Sequence, residues 1–207
     1  LALKMMTDSS GKRVVVDFAW ATEALAPLMR RYFSTEDGPS LARQLGDLLR
    51  FECECSGVLH EQGQGQLKFW HLTFQEYLAA RRLAHMGDGW RIISARLDDR
   101  QWRETIDLYP ACLIERGVEQ VDSLMKRALS LRKDSSDLAA TAEIVGLAGR
   151  LLATLRPFAY RLPEPQATTY EVLRERALGI FTPKGAAQVS EEKRIAAAEA
   201  LGRAGDP

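Results

Sequence analysis

The sequence predicts a mainly α-helical chain in two parts, a mixed segment over roughly 1–86 and an all-helical segment over 87–207. Three observations carry that reading. One short β-branched run and one glycine-spaced hairpin pattern are confined to the first segment. Apolar residues recur at helical spacing through most of the remainder, and polar or Gly/Pro breaks divide the second segment into separate amphipathic stretches. With 207 residues, 46% hydrophobic and 27% charged, the chain has a globular composition and enough length to bury a core.

Val14-Val15-Val16-Asp17-Phe18 follows the turn Asp8-Ser9-Ser10-Gly11 and reads as a brief strand. A helix is expected from about 19 to 33, with Leu25, Leu28 and Met29 at helical spacing. Pro39-Ser40 opens another, with Ser40 as N-cap. There Leu41, Leu45, Leu48 and Leu49 recur at i, i+4, i+7 and i+8 before the helix stops near Ser56-Gly57. Val58-Leu59-His60-Glu61 and Leu67-Lys68-Phe69-Trp70 flank Gln62-Gly63-Gln64-Gly65-Gln66, whose glycines permit the positive φ of a tight turn, so a hairpin is expected. Thr73-x-x-Glu76 reads as a capping box that starts a helix at Phe74 and carries it to about His85, with Phe74, Tyr77 and Leu78 facing the core. Helix, helix, two-stranded wing, helix is the order of a winged-helix fold.

Past residue 88 the helices are expected near 89–97, 99–116, 118–131, 137–155, 169–180 and 190–204. Trp102, Ile106, Tyr109 and Leu113 stripe the second of these, which Pro110 should kink. Ile144, Leu147, Leu151 and Leu155 form a seam on the fourth that needs a partner helix. Pro157, Pro163 and Pro165 make 156–168 a loop or hinge. The predicted fold class is therefore mainly α, a winged-helix domain at 1–86 with a small β-hairpin wing, followed by an α-helical domain at 87–207 whose last stretch resembles a superhelical, HEAT-like arrangement.

Charge and motifs exclude several functions. Lys plus Arg and Asp plus Glu each total 28, which removes the positive field of a dedicated nucleic-acid or anionic-membrane binder, so neither partner is expected. No stretch approaches eighteen apolar residues without a charge and no signal-peptide pattern opens the chain, so a cytoplasmic location is expected. Three cysteines fit no disulfide framework. Gly11-Lys12 fails as a phosphate-binding loop, because Met6 occupies the first glycine position and Arg13 follows the lysine. Gly63-x-Gly65 fails as a dinucleotide fingerprint, because Lys68 replaces the third glycine. Cys53, Cys55 and His60 are zinc-ligand types without a fourth partner nearby, and Glu115, Glu119 and Asp122 read as a solvated helix face. No catalytic residue, metal site or cofactor is expected in this chain. It starts without Met and its pattern breaks off at 205–207, so a fragment of a longer protein is expected.

One motif carries positive information. Phe69-x-His71-Leu72-x-Phe74-Gln75-Glu76-Tyr77-Leu78-Ala79-Ala80-Arg81 resembles the winged-helix signature of NACHT-type signal-transducing (STAND) NTPases, a group that includes animal NOD-like receptors and bacterial antiphage relatives. Ser56-Gly57-Val58-Leu59 resembles the small-residue lead into the first wing strand, and Trp102-Arg103-Glu104 the start of the helical segment that follows. The resemblance implies a non-enzymatic regulatory element. It would couple the nucleotide state of an upstream nucleotide-binding domain of the same polypeptide to autoinhibition or assembly, with oligomerisation on activation. ADP or ATP with Mg would bind that domain. One site residue is implied, His71, whose imidazole reaches the β-phosphate. A charge-assisted bond of about 1.5–3 kcal/mol is available there, whereas moving an equilibrium from 1:99 to 99:1 takes about 5.5 kcal/mol, so interdomain packing must supply the rest.

Residues 190–207 resemble one helix of a HEAT-type repeat, or the linking helix before a formylglycine-generating-enzyme or C-type-lectin-like domain. Ala196, Ala197, Ala198 and Ala200 suit close packing and Gly205 suits a C-terminal cap. Two other readings stand beside this one. A winged-helix DNA-binding regulator is disfavoured by the uncharged wing tip 62–66, and a helical protein-interaction scaffold by the hairpin.

Overall fold

The hairpin expected at 58–70 forms, and a third strand joins it. In the computed structural model, which describes residues 1–30, 38–63, 65–131 and 137–204, the first of two compact units is Leu1–Ile106. It contains α1 (Ala2–Met6), β1 (Val15–Asp17), α2 (Phe18–Met29), α3 (Gly38–Cys55), β2 (Leu59–Gln62), β3 (Gln66–Phe69), α4 (Leu72–Ala84), α5 (Gly89–Ser94) and a 3₁₀ turn at Arg100–Trp102. The sheet is antiparallel in the order β1-β3-β2, with Val16 opposite Leu67 and Leu59 opposite Phe69. Those four side chains are buried, because alternation along each short strand turns them to the face covered by helices. Gly57 and Gly65 both take positive φ, 64° and 75°, where the chain enters and rounds the wing.

Several expectations are corrected here. The five-residue α1 has no signal in the sequence pattern, yet Met5 and Met6 are fully buried and the helix packs on α4. Gly38, Pro39 and Ser40 are all helical in α3, which takes Ser40 away from the cap. Leu25, Leu28, Met29, Leu48 and Leu78 line an open apolar cavity of about 580 Å³ rather than a closed core. The end of the helix expected at 31–33, Gln64 of the wing tip and the cap at Gly205 lie outside the described residues. Packing places α5 and the 3₁₀ turn in the first unit, whereas the sequence boundary at 86 grouped them with the helical segment.

The second unit, Asp107–Pro207, begins within α6 (Arg103–Ile114) and continues with α7 (Val118–Leu129), α8 (Leu138–Leu155), α9 (Gln166–Leu178), α10 (Pro183–Gln188) and α11 (Glu191–Arg203). Short 3₁₀ turns at Arg156–Phe158 and Gly179–Phe181 follow α8 and α9. Asp137 caps α8 by accepting from the Ala139 amide at 2.9 Å. The expected seam finds its partners, since α7, α9 and α11 all pack on α8. By length and composition 138–158 could cross a membrane, but two-thirds of it is buried inside the unit, as a core helix is. The element α10 was not foreseen. It is a single short stretch started by Pro183, with the Thr182 hydroxyl accepting from the Gly185 amide at 3.2 Å. The segment 156–168 is anchored at its middle, where Tyr160 Oη donates to Asp122 Oδ1 at 2.6 Å. Asp122 therefore does more than sit on a solvated face, while Glu115 and Glu119 are exposed.

Candidate functional site

The chain turns from sheet to helix at residues 69–72. Phe69 is 6% exposed and anchors β3, and the Trp70 amide donates to Val58 O at 2.9 Å, which fixes the last ladder bond before the turn. His71 then takes extended backbone angles, φ −122° and ψ 143°, and serves as N-cap of α4. Its carbonyl accepts from the Phe74 amide at 3.1 Å, and its side chain makes no capping bond. The imidazole is exposed, with the Phe74 ring edge-on at 6.0 Å. Among the described residues it has no hydrogen bond or ion pair. Its ring nitrogens are therefore available to a ligand or to another domain.

The surroundings are apolar and open. Trp70, Leu72 and Phe74 are 57%, 41% and 40% exposed, and the His60 ring meets Trp70 edge-on at 5.2 Å.

The capping box does not form. The helix starts at Leu72, so Thr73 is an exposed first-turn residue, and Phe74 is exposed while Tyr77 and Leu78 are only half-buried. The buried face of α4 is Gln75, Glu76, Ala79, Ala80, Leu83 and Ala84. Glu76 instead pairs with Lys12 at 2.7 Å, each side chain 7% exposed, because α1 and the turn after it pack on this face and bring an ammonium to the carboxylate. Gln75 Nε2 donates to Arg13 O at 2.8 Å. Sequence reasoning missed Lys12, Gln75 and Glu76 as structural contacts. A usable signal existed, since residues 75, 79 and 83 and residues 76, 80 and 84 each repeat every fourth residue with small or apolar partners.

Cys53 and Cys55 lie in the last turn of α3 and His60 on β2. Burial, then the carboxylates of Glu61, Glu52 and Glu54, push the Cys53 thiol above its ordinary range. Among the described residues no three such side chains converge.

Residues 1–83 match the family described as the winged helix-turn-helix domain C-terminal to NACHT, and the match ends within the last turn of α4. No curated protein and no solved structure matches the chain.

Proposed function

We propose that this chain, whose residues 1–83 are a NACHT-associated winged-helix domain, is a regulatory, non-catalytic part of a NACHT-type NTPase and reads the nucleotide state of the domain that precedes it. The observation that carries the reading is His71. It is an exposed imidazole at the strand-to-helix junction, without a hydrogen bond or ion pair among the described residues, edge-on to Phe74 and between exposed Trp70 and Leu72 in sequence. An imidazole N–H donates well to a phosphate oxygen, and the exposed apolar side chains of Trp70, Leu72 and Phe74 offer the packing that one hydrogen bond lacks. In this reading His71 holds the resting, ADP-bound arrangement, and loss of its contact releases the protein to assemble. Nucleotide and Mg belong to the upstream domain, the protein works in the cytoplasm, and the second unit leads on to HEAT repeats or another C-terminal domain.

DNA recognition is less well supported. The helix before the wing exposes Arg43 and Arg50 together with Asp47 and Glu54, and Arg50 is paired with Asp47 at 3.3 Å, so it offers phosphates a balanced face. The test of the main reading is the reading frame upstream together with a variant. A phosphate-binding loop should be encoded within a few hundred residues, and His71→Ala in that longer protein should assemble or signal without a trigger. A frame with no such loop, or a variant that still needs the trigger, overturns it.

A further inference from the structure

Lys12 joins three separated stretches of the first unit. Its ammonium lies 2.7 Å from Glu76 Oε1 on α4 and donates to Gln101 O at 3.1 Å in the 3₁₀ turn that leads into α6, while Lys12 itself sits in the turn after α1. Both sides of the joint are held independently. On α4, the adjacent Gln75, fully buried, donates to Arg13 O at 2.8 Å. At the turn, Asp99 Oδ1 accepts from the Gln101 amide at 2.9 Å, and Trp102 is 2% exposed with the Arg96 guanidinium 4.6 Å from its ring.

We propose that Lys12 and Glu76 are positioning residues that lock the His71 helix to the turn at 100–102, and so to the start of α6. Stability alone is a poor reason for this pair, because apolar side chains of similar size replace a buried ion pair with little loss or some gain. What the charges add is direction. One ammonium satisfies two acceptors on different elements, which an apolar contact does not specify. Since His71 caps the same helix that Glu76 fixes, a displacement at the His71 end is passed to the turn from which α6 starts. The use made of the lock rests on the proposed role of His71, whereas the lock itself does not.

The experiment measures amide hydrogen exchange and thermal melting of the 207-residue chain as wild type, Lys12→Met/Glu76→Met, and the reversed pair Lys12→Glu/Glu76→Lys. The reversed pair keeps an ion pair, but a carboxylate at position 12 cannot donate to Gln101 O. Both variants should melt within a few degrees of wild type and exchange at least tenfold faster over 99–104. Wild-type exchange there in either folded variant overturns the lock. In the longer protein, ADP release should rise in His71→Ala and in the double Met variant alike. A rise in the first without the second overturns the positioning role. No rise in His71→Ala sinks the nucleotide-sensing reading and leaves the exchange data to judge the lock.

Discussion

Gly149 of α8 and Ala204, the residue that closes α11, meet so closely that a Cβ on Gly149 would stand 2.1 Å from Ala204 Cβ. One turn away, a Cβ on Gly146 would stand 2.6 Å from Ala200 O. These two glycines form the groove that seats α11. Alanine in a helix interior ordinarily gains about 1 kcal/mol over glycine. Gly149→Ala should instead cost about 1–3 kcal/mol in chemical denaturation, because α11 must shift to admit the methyl. Gly46→Ala on α3, where a Cβ meets only the Arg50 guanidinium at 3.8 Å, should show the ordinary gain. A gain at both positions would mean that α11 is not seated on α8.

Tyr160→Phe removes the hydroxyl that donates to Asp122 and should cost about 1 kcal/mol. Burial first, and then the Asp122 carboxylate, hold the Tyr160 hydroxyl above its ordinary value of 10.0. A raised folded-state value stabilises below the unfolded one, so the advantage over the Phe variant is full below about pH 10 and falls as pH rises further. Parallel stability curves for the two proteins from pH 7 to 11 would contradict this.

Asp8 gathers the Ser10 hydroxyl and amide at 2.5 and 2.9 Å and lies 3.0 Å from Arg13 Nε. The Ser10 hydroxyl, the Ser10 amide and Arg13, in that order, hold its carboxyl down at about 2 from 3.8. A depressed carboxylate stabilises above its unfolded value, so the advantage of wild type over Asp8→Ala should be present above pH 4 and vanish as pH falls through 2. A pH titration of melting temperature checks the sign, and an advantage that grows below pH 4 would reverse it.

The chain by itself should neither hydrolyse ATP nor bind ADP, because Gly11-Lys12 lacks the rest of a phosphate loop and Lys12 is committed to Glu76 and Gln101. Turnover above a buffer control, or heat on ADP titration, would overturn that expectation. A salt-sensitive, sequence-selective shift of duplex DNA would likewise revive the DNA-binding reading.

Local patterns were legible and distant partners were not. The strand at Val15–Asp17 and the hairpin follow from β-branching and glycine spacing within a few residues, so the sequence was enough to find them. That β1 pairs with β3 depends on residues some fifty positions apart, on which local periodicity is silent. His71 was legible as a junction residue of a long motif, and it sits at that junction. Thr73 and Glu76 were misread because their spacing satisfies a local rule while a buried Lys12, far away in sequence, makes the stronger claim on the carboxylate. Of the alanines in α11, Ala197 is buried and Ala200 lines the glycine groove, whereas Ala196 and Ala198 face solvent. Composition alone could not separate the two pairs.

The central claim is that the His71 imidazole restrains nucleotide in the upstream domain. Its most direct measurement is the dissociation rate of a fluorescent ADP from the longer protein, wild type beside His71→Ala, with melting of the 207-residue chain recorded for both. An exposed ring with no hydrogen bond or ion pair among the described residues, in edge contact with the exposed Phe74 alone, predicts melting within about 0.5 kcal/mol of wild type. Loss of one charge-assisted bond of about 1.5–3 kcal/mol predicts release roughly 10- to 150-fold faster. Unchanged release, with or without a fall in melting temperature, would contradict the account.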